Sequence, residues 1–156
     1  MRLNNPRRGI TVNATVVETG KFTNVIPASA IARADVRVAR LSDMRALNKK
    51  LHALKPILKG ARLKITGGVN RPPLERTNAV IKLFRHAQQL AQEMGFPLNE
   101  ASTGGGSDGN FTAAQGIPTL DGLGAVGEGA HSPNENVIIR KLPERAALIA
   151  VLLATL

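Results

Sequence analysis

The chain has 156 residues, 43% hydrophobic and 21% charged, a composition able to bury a core and unlike that of a disordered polypeptide. It contains no cysteine, which excludes disulfides, thiolate metal sites and a cysteine nucleophile. A formal net charge of +10 raises nucleic acid as a partner, but the basic residues are scattered, and four Phe with no Trp or Tyr give bases little to stack on. Like-charge pairs such as Arg7-Arg8 and Lys49-Lys50 are too short to form a tract, so no nucleic-acid partner is expected. Met1 to Arg8 lacks the apolar core of a leader, and the run from Ala146 to Leu156 is far below the roughly 20 residues that span a bilayer. A soluble, cytoplasmic protein with no membrane partner is expected.

In chain order, Thr11-Val-Asn-Ala-Thr-Val-Val17 alternates polar and apolar residues and predicts a strand ending at Glu18-Thr-Gly20, with a second strand over Ile31 to Val38. Between them Phe22 to Ser29 reads as a loop, since Pro27 bars regular ladder pairing. Ser42 is a candidate cap for a helix through about Lys55, where Met44, Leu47, Leu51 and Leu54 make an apolar stripe before Pro56. Ala61 to Thr66 alternates again and predicts a strand. Thr77 or Asn78 caps a long helix whose apolar face runs from Val80 to Met94 and closes at Gly95. Pro97 to Thr103 predicts a short strand, Ser107-Asp108 the start of a helix to about Gln115, and Ile117 to Leu123 a further strand. A glycine-rich loop past His131 then leads to a last helix near Pro143-Glu144. The fold class is α/β, divided into 1–68 and 69–156 with the boundary near residues 67–73.

Four residues are candidates for chemistry. Gly106 belongs to the triple glycine of Thr103-Gly-Gly-Gly-Ser-Asp108, where the backbone can approach a ligand closely and helix N–H groups follow; a plain strand-to-helix turn is the other reading. His131 lies in a loop too polar and glycine-rich for a core site, and is either a metal ligand or an inert surface histidine. Glu135 could orient its imidazole or be a solvated acid. Asn24 in the Pro27 loop could donate to a carbonyl or carboxylate, or simply stabilise a turn. Arg71, before Pro72-Pro73, could fork onto a substrate carboxylate or pair with Glu75. Arg37 in Asp35-Val-Arg37 reads as an ion pair within a strand, and His52 and His86 sit within helices without matching ligands.

Taken together, Asn24-Val-Ile-Pro-Ala-Ser-Ala30, Ala34-Asp-Val-Arg37, Arg71-Pro-Pro73, Thr103-Gly-Gly-Gly-Ser-Asp108 and His131-Ser132 occur in the order and spacing of one enzyme family. The chain resembles the dizinc aminoacylases, acetylornithine deacetylases and glutamate carboxypeptidases, most nearly the last. The resemblance covers almost its whole length and implies a partial ferredoxin-like lid and dimerisation domain, followed by the C-terminal part of a phosphorylase/hydrolase-like zinc-peptidase catalytic domain. It implies two zinc ions, His131 as the last zinc ligand, and Asn24, Arg71 and Gly106 as substrate-binding positions. The substrate would be an N-acyl amino acid or peptide-like molecule with a free carboxylate, handled by a homodimer. The family's His-x-Asp segment, bridging Asp, paired Glu and lid His would all lie before this chain's start, so no catalytic residue is carried over. The expectation is therefore a C-terminal fragment of a metallopeptidase or amidohydrolase, inactive alone. The competing reading is a non-catalytic dimerisation module.

Overall fold

A computed structural model of the chain describes residues 3–156. Met1 and Arg2, with which the segment read as lacking a leader opens, lie outside the described residues. The chain divides into two compact units, one made of residues up to Glu75 with Gly104–Gly106, the other of Arg76–Thr103 with Ser107–Leu156.

In the first unit, strands β1 (Thr11–Thr19) and β2 (Ala30–Arg37) form a two-stranded antiparallel sheet. Valines and threonines suit the pleated backbone, and β1 runs two residues past the expected end at Val17. The register pairs Val12 with Val36 and Ala14 with Ala34, then shifts so that Val16 meets Arg33 and Val17 meets Ala32, leaving Thr15 as a bulge. Residues directly opposite share a face. Val12, Ala14 and Val17 therefore lie with Ala32, Ala34 and Val36 on an apolar face. Asn13, Val16 and Glu18 share the other with Ile31, Arg33 and Asp35, where Arg33 pairs with Glu18 at 2.8 Å. The outer edge of β1 is met by Asn4, whose side-chain amide accepts from the Val12 N–H at 2.6 Å and donates to its carbonyl at 3.1 Å.

Helix α1 (Leu41–His52) follows. Ser42 is not its cap: the preceding position is Arg40, and the Leu41 N–H is taken by the Glu75 carboxylate at 3.2 Å, a partner distant in sequence. The helix ends at His52, short of the expected Lys55, and Leu54 is exposed rather than part of the stripe. Leu47 and Asp43 are buried, and Asp43 pairs with the Arg8 guanidinium.

In the second unit, α2 (Asn78–Glu93) is capped by Thr77, whose hydroxyl accepts from the Val80 N–H at 3.2 Å. It packs against α4 (Leu142–Thr155), with Pro143 at the helix start. Ala87, Leu90 and Ala91 on α2 and Leu148 and Leu152 on α4 are buried together, with Met94, Phe96, Leu98, Leu120, Leu123 and Val151 around them. The two alanines, one turn apart and fully buried, leave room for the leucines of α4. Between these helices lie the short α3 (Gly109–Ala114) and a hairpin of β3 (Gly127–Glu128) and β4 (Asn136–Val137).

The mixed α/β content agrees with the sequence reading, but the expected strands over 61–66, 97–103 and 117–123 are not ladders. A strand exists only where a second backbone accepts its hydrogen bonds, and among the described residues none lies alongside these segments. The latter two are held by side chains instead: Leu120 and Leu123 pack into the core, and Gln88 Nε2 donates to the Leu98 carbonyl at 2.9 Å, while 61–66 is largely exposed. The β3–β4 hairpin falls in what the sequence marked only as loop. A Cβ at Gly127 would lie 1.9 Å from the Asn136 carbonyl oxygen, so this pairing requires glycine there. No helix among the described residues is long and apolar enough to cross a membrane.

Candidate functional site

Within the first unit the structure brings Arg71 and Gly106 into contact. A Cβ added at Gly106 would lie 3.1 Å from Arg71 Cδ and 3.6 Å from its Nη1, so the missing side chain is the space the guanidinium stem occupies. Two residues earlier Arg37 reaches the same loop, donating from Nη1 to the Gly104 carbonyl at 3.3 Å while its Nε binds Asp35 at 2.8 Å. The strand ion pair expected of Arg37 is present, and its second contact was not anticipated. Only the Ala34-Asp-Val-Arg37 motif singled that residue out beforehand.

The Arg71 and Arg37 guanidiniums thus lie against a backbone without side chains, the charge of Arg37 being offset by Asp35, and guanidinium is the group that forks onto a carboxylate. Glu75 bonds the Leu41 amide. Asn24 stands exposed in a turn of the loop between β1 and β2.

In the second unit the expected helix after the glycines is only six residues long. Its approach is organised by its own side chains: Asn110 Oδ1 accepts from the Ser107 N–H at 2.8 Å, and Ser107 Oγ from the Gly109 N–H at 3.2 Å. An anion-binding row of free helix amides, as the sequence suggested, is not what this turn presents.

His131 lies at the tip of the β3–β4 hairpin, and its backbone is in the left-handed region at φ 66, the sole described non-glycine residue with positive φ. Such a conformation costs a residue with a side chain about 1–2 kcal/mol. The Glu135 carboxylate accepts the His131 backbone N–H at 3.2 Å, so it fixes the tip through the main chain and does not orient the imidazole. Below the tip, the Ser132 N–H bonds the Gly129 carbonyl at 2.9 Å and the Ile138 N–H the Val126 carbonyl at 2.8 Å. His86 Nε2 is engaged with Thr155 Oγ1 at 2.8 Å, joining α2 to α4, and His52 Nδ1 with the Asn48 carbonyl at 2.9 Å.

No group of three or more His, Asp or Glu side chains able to hold a metal ion occurs among the described residues. A zinc centre needs at least three protein ligands, so the described residues do not fit such an ion by themselves.

The comparisons with known proteins decide the family. Residues 6–155 match peptidase family M20/M25/M40. The chain belongs to this family. It is 34% identical over 160 residues to carboxypeptidase G2 of Pseudomonas sp. (strain RS-16), an alignment covering all of this chain and 39% of that protein. It is 32% identical over 128 residues to the succinyl-diaminopimelate desuccinylase of Coxiella burnetii (strain Dugway 5J108-111), covering 81% of this chain and 33% of that enzyme. The M20 chain thus spans well under half the length of either relative.

Proposed function

We propose that this chain forms the closing part of a zinc-dependent amidohydrolase or carboxypeptidase site, acting on N-acyl amino acids or on a C-terminal acidic residue. The observation that carries this reading is the meeting of Arg71 with Gly106, joined at Gly104 by Arg37. Segments widely separated in sequence converge on a glycine backbone beside the Arg71 guanidinium and an Arg37 that is paired with Asp35, and a guanidinium is the group that recognises a substrate carboxylate. Membership of the family, and relatives that are a carboxypeptidase and a desuccinylase, support amide cleavage beside it.

In this assignment Arg71, Gly106 and Asn24 bind substrate, and His131 contributes one ligand to a two-zinc centre whose other ligands and general base are not in this chain. The order β1, β2, α1 supports a partial ferredoxin-like lid over 1–68, and the helix-rich remainder supports the end of a catalytic domain over 69–156. The chain by itself is catalytically inert, because one of several ligands cannot retain the metal. As a cytoplasmic protein it would act as a homodimer.

Calorimetric titration with zinc tests this. The expected result is no submicromolar binding, with any weak binding lost in His131→Ala. Submicromolar binding that depends on His131 would mean that a complete site assembles here, ending the claim of inactivity. Weak binding indifferent to His131→Ala would remove that residue from the ligand set.

A second reading, a dimerisation module without catalysis, is favoured by the apolar face of the β1–β2 sheet, where Val17 is 66% and Val36 40% exposed. Its occupant would be a second copy of the chain. Light scattering over a dilution series that shows only monomer would dismiss it.

A further inference from the structure

Arg145 has the wrong charge for its place. It is the fourth residue of α4, near the helix start, where the helix macrodipole disfavours a cation, and Glu144 beside it is committed to Lys141 at 2.8 Å. The half-buried guanidinium makes its hydrogen bonds to carbonyl oxygens instead: Nη2 to Gly122 at 2.6 Å, and Nε to Leu123 at 3.1 Å and Gly124 at 3.0 Å. A residue that contradicts its local helix preference and spans three consecutive carbonyls is there for those carbonyls.

They belong to the last fixed stretch before the His131 hairpin. Leu123 packs against the core, and beyond Gly124 the hydrogen bonds among the described residues are internal to the hairpin, from the Val126–Ile138 bond and the β3–β4 pair to the Ser132–Gly129 and Glu135–His131 ties at the tip, until the chain returns through Ile139–Lys141 into α4. The outgoing foot of the hairpin is thus joined to the start of α4 by the chain itself, and the incoming foot by Arg145. We infer that Arg145 is a positioning residue for His131: it closes the base of the hairpin on one helix end and so fixes where the tip stands, without touching the imidazole. This rests on the reading of His131 as the side chain with a chemical role. A lysine could not reproduce the arrangement, since a single ammonium lacks the planar fork that reaches three carbonyls.

The test is amide hydrogen exchange with NMR of the full chain, as wild type, Arg145→Ala and Arg145→Lys. In Arg145→Ala the Ile138 amide should exchange about tenfold faster or more, since a charge-assisted tie across the base is lost. The His131 backbone and imidazole resonances should move, while the Leu148 and Leu152 amides keep their protection. Arg145→Lys should recover only part of the Ile138 protection, and it serves as the informative variant should the alanine form fail to fold. Acceleration shared equally by α2, α4 and the hairpin, or unmoved His131 resonances, would overturn the assignment. Zinc plays no part in these measurements, so failure here is separable from failure of the metal reading, which appears as zinc binding indifferent to His131→Ala.

Discussion

The two units are stabilised by different means. The second has an apolar cluster in which Ala87, Ala91 and Leu148 are fully buried, whereas in the first the buried apolar residues are Ile10 and Leu47 alone among those described. The first unit relies on the β1–β2 ladder and polar ties such as Arg8 to Asp43 and Glu75 to Leu41. A two-stranded sheet is marginal in water by itself, while helices sharing a packed seam are not. Family motifs therefore divide between a part with its own core and a part whose sheet face is bare, and resistance to unfolding should divide in the same way.

The largest expected effect breaks the better-packed side. Leu148→Ala should cost about 2–5 kcal/mol, read by urea denaturation, and should expose α2 and α4 amides while leaving β1–β2 exchange unchanged. If both units respond together, they unfold as one and the contrast fails. Next, Arg8→Ala strands the Asp43 carboxylate, which is 5% exposed and whose Oδ2 has no hydrogen-bond partner among the described residues. The loss should be about 1–3 kcal/mol, confined to α1 and the β1–β2 sheet, and smaller once Asp43→Asn is added.

The smallest effect is a pH dependence in the second unit. Arg76 grips Glu100 with two bonds of 2.7 and 2.8 Å, and this hydrogen bonding holds the Glu100 carboxyl below its ordinary value of 4.5. A depressed carboxyl stabilises the fold above its unfolded pKa and loses that contribution as pH falls through its folded one. Acid titration of thermal stability should therefore show a slight decline below about pH 4.5 that flattens in Glu100→Gln. Both groups are exposed, so an unchanged acid limb would show that solvent screens the pair completely.

What the sequence made legible followed its periodicity. The α2 face, the Thr77 cap and the start of α4 at Pro143 are written in local spacing and capping chemistry, and each was found there. The segments 61–66, 97–103 and 117–123 have the composition of strands, but composition cannot supply a neighbouring backbone, and none is present beside them among the described residues. Ser42 looked like a cap because nothing in its surroundings announces that Glu75 will reach Leu41. At the site, the glycine run and Arg71 were visible as residue types, while their contact and the Arg37 bond to Gly104 depend on tertiary approach. Arg145 carries a signal of its own in the sequence, a cation at the beginning of a helix, whose meaning depends on the carbonyls that the fold brings to it.

The bulge at Thr15 explains an irregularity that the strand pattern alone does not. Val16 and Val17 stand side by side in a sequence that otherwise alternates, and an unbroken strand would point Val17 away from Val12 and Ala14. The inserted threonine resets the parity, returning Val17 to the apolar face and turning Glu18 toward Arg33. Deleting this one residue would therefore leave every later side chain on its present side, in a regular ladder, whereas pairing the intact strand without the bulge would act as a frameshift in side-chain direction: everything from Val16 to Thr19 would change sides, with Glu18 facing the alanines of β2 and Val17 facing its charges.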